Sequence, residues 1–179
     1  MLGVAYFGLP DLPFTLSDIP LEYFARALRW LDRQPDVDPA KIAVLGISRG
    51  SEAAQLLGVH YPDLVHAVIA SVPSDAAICS YPGCRTVAWT LGGKPLPYTR
   101  DFDNPAPTDN PAAVIPDQRI NGPAFLDCGE ADETWSSCPY ARAILSRLDR
   151  DHDRWAHVLY AYPHAGHLVG FLAAWVSGS

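Results

Sequence analysis

The five residues Gly46-Ile47-Ser48-Arg49-Gly50 constrain the fold more than any other part of the chain, because they read G-x-S-x-G. An apolar run over 41–46 precedes them and a helix-like stretch over 51–61 follows. A strand, a tight turn and a helix in this order form a nucleophile elbow, which exposes the serine hydroxyl at a strand end. The glycines give the turn its room. The motif predicts Ser48 as a nucleophile; the alternative is a glycine-rich turn with an idle serine.

Strand-like and helix-like segments alternate along the chain. Apolar runs predict strands at 2–7, 42–46, 65–72, 124–128 and 155–162. Helical periodicity and capping residues predict helices from Ser17 or Asp18 to Pro35, from Ser48 to about His60, over 139–149 and over 168–176. The alternation predicts an α/β fold in one domain over 1–179, with a mainly parallel sheet and helices on both faces.

A nucleophilic serine needs a base to take its proton, and the base needs an acid to orient it. In this type of fold the acid and then the histidine follow later strands. The loop after the strand at 124–128 contains Asp132, which we predict to be the acid. Glu130 and Glu133 are the alternatives in the same loop, while Asp127 lies inside the strand and would point into the packing.

Two histidines follow the last predicted strand, and both lie at the same edge of the sheet as Ser48. We predict His167 as the base, because the preceding Ala-Gly lets the loop approach the elbow. His164 is the alternative, since it lies closer to the strand end. The other histidines are expected to be structural or solvated: His60, His66, His152 and His157.

An acyl-transfer site also needs hydrogen-bond donors for the developing oxyanion. The backbone N–H after the nucleophile, here that of Arg49, is one such donor. The second donor normally comes from a glycine-rich loop upstream, and the residues before Ser48 contain no such loop. A turn at Gly8, after the first predicted strand, is the remaining source. With one donor, we expect a weak enzyme.

Seven stretches carry a resemblance to a known family: AYFGLPDLP, IPLEYFARALRWL, VLGISRGSE, GKPLPY, IPDQRI, GEADETW and YPHAGH. From about Ala5 to His167 the chain resembles the acyl-CoA thioesterase / bile acid-CoA:amino acid N-acyltransferase family of α/β-hydrolases. The resemblance implies Ser48 as nucleophile, Asp132 as acid and His167 as base. The acyltransferase branch uses cysteine and the thioesterases use serine, so the resemblance implies hydrolysis of an acyl thioester.

The chain also departs from the family pattern. The family's N-terminal immunoglobulin-like domain, earlier hydrolase strands and glycine-rich oxyanion loop have no counterpart here, and the sequence after His167 differs from the family's long ending. We therefore expect an α/β-hydrolase-type fold truncated at its N-terminal strands. The alternatives to a thioesterase are a carboxylesterase of dienelactone-hydrolase type and a weak or inactive remnant.

The segment 73–121 breaks the alternation of strands and helices, and nine of the 17 prolines fall between 73 and 123. A long irregular segment in a compact domain is usually functional, so we predict a lid over the site. Its apolar residues are expected to line the acyl pocket, or else to pack on the sheet: Trp89, Leu91, Leu96 and Tyr98. Its basic residues are candidates for the CoA phosphates, or else solvated: Arg85, Lys94 and Arg100.

The net charge of −7 and pI of about 5.2 argue against nucleic acid and anionic membranes as partners. No apolar run is long enough for a membrane span. We expect a small acyl ester or acyl-CoA substrate, no metal and no cofactor, and a homo-oligomer stays open. The chain has four cysteines: Cys79, Cys84, Cys128 and Cys138. We expect all four to be free or buried thiols in a cytoplasmic enzyme, with a small Cys79–Cys84 disulfide loop as the alternative.

Overall fold

The computed structural model describes residues 1–151 and 154–169. Its strands are β1 (Ile19–Pro20), β2 (Ala43–Ile47), β3 (Ala67–Ser71), β4 (Trp89–Leu91), β5 (Lys94–Pro95), β6 (Ala124–Gly129) and β7 (Val158–Tyr162). Its helices are α1 (Leu21–Leu31), α2 (Arg49–His60) and α3 (Ser137–Arg150). The helix predicted over 168–176 lies almost entirely outside the described residues.

The main sheet has the order β2-β3-β6-β7, and every neighbouring pair is parallel. Parallel strands bring their carboxyl ends to one edge of the sheet, where α/β proteins place their sites. The loops that follow β2, β6 and β7 therefore meet at that edge. Four of the five predicted strands and the predicted elbow helix are present, with ends shifted by a few residues.

The two faces of the main sheet differ in how they are covered. Helices α2 and α3 pack on one face, where Val68, Ala70 and Leu126 are buried in the main core. Side chains of the opposite face include Leu45 and Tyr160, which are 52% and 50% exposed. The prediction of helices on both faces thus holds for one face only within the described residues, since α1 packs on α2 and β4.

Helix α1 buries Leu21, Phe24 and Leu28, the face that its periodicity predicted. It begins after Pro20 rather than at Ser17 or Asp18. The reason is that Ile19 and Pro20 pair with β4 as strand β1, which keeps these two residues extended.

The segment 73–121 is more ordered than its sequence suggested. It contributes β4 and β5, which form a small sheet with β1 in the order β1-β4-β5. Trp89 of β4 is fully buried in the main core. The segment is therefore packed onto the rest of the molecule at β4, while its residues from Ile78 to Cys84 remain beside Ser48.

The strand predicted at 2–7 is wrong. These residues form no strand pairing among the described residues, and most of them are exposed or half-buried. A strand needs a neighbour, and β2 pairs only with β3, so β2 is an edge strand of the described sheet. The apolar run instead supplies aromatic side chains: the Tyr6 ring packs against Phe24 and Trp89.

The cysteines are paired, which corrects the expectation of four thiols. Cys79 bonds to Cys84, and Cys128 bonds to Cys138. The second pair joins the end of β6 to the first turn of α3, and sequence spacing gave no sign that these two elements meet. Disulfides are uncommon in the cytosol. The two disulfides therefore lend no support to the cytoplasmic location, which stays a prediction. No helix of the described residues has the length and apolar character to cross a membrane.

Candidate active site

Ser48 occupies a strained turn between β2 and α2. Its backbone angles are φ 55° and ψ −124°, a conformation that residues other than glycine rarely adopt. A Cβ at Gly46 would lie 1.9 Å from the carbonyl oxygen of Gly50, so position 46 must be glycine. A Cβ at Gly50 would make only an ordinary contact, at 3.5 Å from the Tyr6 hydroxyl. The expected steric demand for glycine therefore applies to Gly46 and not to Gly50.

The structure brings Ser48, His167 and Asp132 into one chain of hydrogen bonds. The His167 Nε2 atom lies 2.8 Å from Ser48 Oγ. The His167 Nδ1 atom lies 2.9 Å from Asp132 Oδ2 and 3.1 Å from Oδ1. These distances are within the hydrogen-bond reach that proton transfer requires. The arrangement can take a proton from Ser48 and hold the resulting imidazolium.

A close approach between two loops positions the acid and the histidine. The N–H of Ala131 donates to the Ala165 carbonyl at 3.0 Å, and the Glu130 N–H donates to the Tyr162 carbonyl at 3.0 Å. Gly129 makes this approach feasible, because a Cβ there would lie 2.1 Å from the Ala165 oxygen. The loop after β6 and the loop after β7 are thus joined directly beside the Asp132 and His167 side chains.

The surroundings of Asp132 favour its ionised form. Its Oδ1 atom accepts the Thr134 N–H at 2.9 Å. Burial raises the pKa of the Asp132 carboxyl, but the nearby Ser137 hydroxyl and the hydrogen bonds with His167 and the Thr134 N–H outweigh burial, so its pKa lies below the ordinary value. Asp132 is therefore a carboxylate at neutral pH, and its charge can stabilise a protonated His167.

The alternative residues lie away from the serine. Glu130 pairs with Arg142 on the surface, and Glu133 and His164 are exposed. Asp127 accepts a hydrogen bond from the Ser71 hydroxyl at 2.6 Å, and burial raises the pKa of its carboxyl. Within the described part of the chain, none of these four side chains forms a hydrogen bond or ion pair with Ser48 or His167.

The Arg49 side chain ties the elbow to the pocket wall, a role that the sequence did not reveal. Its guanidinium donates to the Ile78 and Cys79 carbonyls, both at 2.8 Å, and forms an ion pair with Glu52 at 2.8 Å. Glu52 is fully buried and accepts from the Ile78 N–H at 3.1 Å and from Trp89 Nε1 at 2.8 Å. Burial raises the pKa of Glu52 against the attraction of Arg49. The one signal of this role in the sequence was Glu52, an acidic residue in the first turn of the helix after Ser48.

A cavity of about 970 Å³ opens beside Ser48. Most of its wall is apolar or aromatic, and its lining includes Tyr6, Phe7, Leu16, Ile47, Ile78, Phe102 and Trp135. The Cys79–Cys84 loop forms part of the same wall. The Trp135 ring meets the His167 ring edge to face, with 5.6 Å between ring centroids. A cavity of this size and character fits an apolar substrate group.

The four residues predicted to line the pocket do not line this cavity. Trp89 is fully buried, and its indole N–H is bound to Glu52. Leu91 and Leu96 pack against the main core, and Tyr98 packs against the small cluster of Ile78, Cys79 and Trp135. Their apolar character thus reflects packing, which was the alternative interpretation. The segment still contributes to the cavity through Ile78–Cys84 and Phe102.

The basic candidates for CoA phosphates are all exposed. These are Arg85, Lys94 and Arg100. Arg85 lies beside the cavity wall, because its Nε atom is 3.6 Å from the position of a Cβ on Gly83, which lines the wall. The described residues contain no cluster of histidine, cysteine or carboxylate groups that could hold a metal ion.

Comparison with known sequences gives a consistent set of relatives. The family profile described as "BAAT / Acyl-CoA thioester hydrolase C terminal" matches residues 19–171. Acyl-coenzyme A thioesterase 6 of Mus musculus is 32% identical over 180 residues, which are 94% of this chain and 42% of that protein. Acyl-coenzyme A amino acid N-acyltransferase 2 of Rattus norvegicus is 29% identical with the same coverage. The chain spans less than half the length of these relatives.

Comparison with solved structures gives the same fold at low sequence identity. Dipeptidyl peptidase 4 of Porphyromonas gingivalis aligns with a TM-score of 0.57 and 15% identity, over 83% of this chain and 20% of that chain. The α/β hydrolase MGS-M1 from a deep-sea metagenome library aligns with a TM-score of 0.53 and 17% identity, over 82% and 49%. These likenesses show an α/β-hydrolase fold.

Proposed function

The chain belongs to the BAAT / acyl-CoA thioester hydrolase C-terminal family, and from that premise we propose that it hydrolyses acyl thioesters through an acyl-enzyme on Ser48. The observation that carries the proposal is the unbroken hydrogen-bond chain from Ser48 through His167 to Asp132 beside an apolar cavity. The Arg49 N–H is the expected oxyanion donor. The activity, the substrate and the roles of these residues are all parts of this proposal.

In the first half-reaction the Ser48 oxygen adds to the thioester carbonyl carbon while His167 takes the hydroxyl proton. Asp132 stabilises the imidazolium that forms, because its carboxylate lies against Nδ1. The carbonyl oxygen becomes an oxyanion and accepts the Arg49 N–H. Collapse of this intermediate breaks the C–S bond, and the leaving thiolate takes the proton from His167.

In the second half-reaction water replaces the thiol. His167 takes a proton from the water, whose oxygen adds to the ester carbonyl carbon of acyl-Ser48. The bond to Ser48 then breaks, and the proton on His167 returns to the serine oxygen. The products are the free carboxylic acid and the regenerated hydroxyl, so one thioester and one water give one acid and one thiol.

The cavity supports an apolar acyl group as the substrate part nearest Ser48. Leu16, Ile47, Ile78 and Phe102 offer carbon surfaces there. The CoA moiety would extend towards solvent, where the exposed Arg85 lies beside Gly83 of the cavity wall. A serine nucleophile favours water as the acceptor over amino acids, by the resemblance described above.

The proposal is tested by thiol release from acyl-CoA esters of increasing chain length. The wild-type chain should release CoA, and Ser48→Ala should abolish release. Ser146→Ala is the matched control, because Ser146 is exposed on α3, and it should leave the rate unchanged. Faster turnover of simple oxygen esters than of thioesters would favour the carboxylesterase alternative. Release that persists in Ser48→Ala would contradict the proposal.

A further inference from the structure

The oxyanion of the proposed reaction has one backbone donor, the Arg49 N–H, and the predicted strand that was to bring a second donor is absent. We infer that the hydroxyl of Tyr6 is this second oxyanion donor. The inference rests on the proposed thioester hydrolysis and adds a residue to it. It also removes the basis for expecting a weak enzyme, which was the lack of a second donor.

The position of Tyr6 is the first argument. Tyr6 lines the same cavity as Ser48, Arg49 and Gly50. Its hydroxyl oxygen lies 3.5 Å from where a Cβ on Gly50 would be. Gly50 follows Arg49 directly, so the hydroxyl lies beside the turn that presents the first donor. Because Gly50 has no side chain, the space in front of the Tyr6 hydroxyl is open to a substrate oxygen. This is a role for Gly50 that does not depend on a steric overlap.

The packing of the Tyr6 ring is the second argument. The ring meets Phe24 edge to face at 5.1 Å between centroids, and it contacts Phe7 at 5.2 Å and Trp89 at 5.8 Å. Trp89 is in turn held by its hydrogen bond to Glu52. A donor fixed by such packing is already oriented before the reaction, which is what makes an oxyanion donor effective.

The state of the hydroxyl is the third argument. Within the described residues no hydrogen bond from the Tyr6 hydroxyl to a protein acceptor is present, whereas the Tyr23 hydroxyl donates to the Ala5 carbonyl at 2.7 Å. Burial, and next the charge of Glu52, raise the pKa of Tyr6 above its ordinary value. The phenol thus keeps its proton at neutral pH and can donate it in a hydrogen bond. No covalent bond to Tyr6 forms, and its proton stays on the phenol throughout.

The test compares Tyr6→Phe with Tyr160→Phe in acyl-CoA hydrolysis, because Tyr160 is 50% exposed on the uncovered face of the main sheet. Removal of one oxyanion donor lowers kcat by about 10²–10³. We expect a kcat loss in that range for Tyr6→Phe with KM little changed, and wild-type kinetics for Tyr160→Phe. Binding of a trifluoromethyl ketone analogue, which forms a tetrahedral adduct with serine, should weaken in parallel with kcat. Binding of a non-hydrolysable thioether analogue of acyl-CoA should stay unchanged.

Each outcome separates this inference from the proposed function. A folded Tyr6→Phe protein with wild-type kcat would overturn the inference while leaving the Ser48 mechanism intact. Equal weakening of the thioether analogue would also overturn it, because Tyr6 would then only line the cavity. Absence of thioester hydrolysis in the wild-type chain would instead refute the proposed function.

A second measurement covers a Tyr6→Phe protein that fails to fold. Incorporation of 3-fluorotyrosine at position 6 keeps the ring and makes the phenol more acidic. Because a phenolate cannot donate, the alkaline fall of kcat should move to lower pH. An alkaline limb identical to that of the wild-type protein would overturn the inference.

Discussion

Replacement of Gly129 by alanine should disable the active site without touching any of its side chains. The new Cβ would lie 2.1 Å from the Ala165 oxygen, about 1.3 Å short of the roughly 3.4 Å at which ordinary contacts begin. Ala165 lies two residues before His167, so the loop after β7 must move by about 1 Å. A misplacement of about 1 Å can cost about 100-fold in rate, because proton transfer depends on the Ser48–His167 distance. We therefore expect kcat for acyl-CoA hydrolysis to fall about 100-fold.

Gly166→Ala is the matched control for this prediction. Its Cβ would lie 3.6 Å from the Ala131 oxygen, an ordinary contact between the same two loops, so kcat should stay near the wild-type value. Thermal melting of each variant separates a displaced loop from a lost fold. Wild-type kcat in a folded Gly129→Ala protein would refute the argument that this close approach sets the position of His167.

Three further predictions test the acid, the cavity and a buried carboxyl group. Asp132→Asn should lower kcat in acyl-CoA hydrolysis by about 10⁴, because the histidine loses its orienting carboxylate. Glu130→Gln should leave kcat unchanged. Similar losses in both variants would contradict Asp132 as the acid. Phe102 is 49% exposed, so an acyl chain that covers its exposed part gains about 1 kcal/mol of binding free energy. Phe102→Ala should therefore raise KM about fivefold for long acyl chains and little for short ones. Equal KM changes across chain lengths would exclude a lining role. Burial raises the pKa of Asp75 from 3.8 to about 7. Between these two pH values the folded protein holds a proton that the unfolded chain has lost. The contribution of Asp75 to the free energy of unfolding therefore falls as pH rises from about 4 to about 7. The free energy of unfolding in urea should therefore change less between pH 5 and pH 7.5 in Asp75→Asn than in the wild-type protein, and identical changes would contradict this pKa.

The parts of the site that follow local rules could be predicted from the sequence. The elbow at Ser48 has a fixed glycine spacing, and the carboxyl ends of parallel strands meet at one edge whatever the details of packing. The order of the chain then places Asp132 and His167 after β6 and β7, where the structure has them. The prediction of His167 rather than His164 also followed from a local feature, the flexible Ala-Gly pair that precedes His167.

The parts that depend on long-range packing could not be predicted. An apolar run such as 2–7 indicates burial against something, but only the fold decides whether the neighbour is a strand or an aromatic cluster. Trp89 looked like a pocket residue for the same reason, and it is instead a core residue bound to Glu52. The Cys128–Cys138 bond likewise requires β6 and α3 to meet, which no spacing reveals.

The measurement that tests the account most directly is mass spectrometry of the purified chain after reaction with a fluorophosphonate. The account predicts one covalent adduct, on Ser48, because among the described residues only that hydroxyl lies 2.8 Å from a histidine oriented by a carboxylate. The adduct should be lost in His167→Ala and retained in the exposed His164→Ala control. An unlabelled wild-type protein, or an adduct on another serine, would contradict the account.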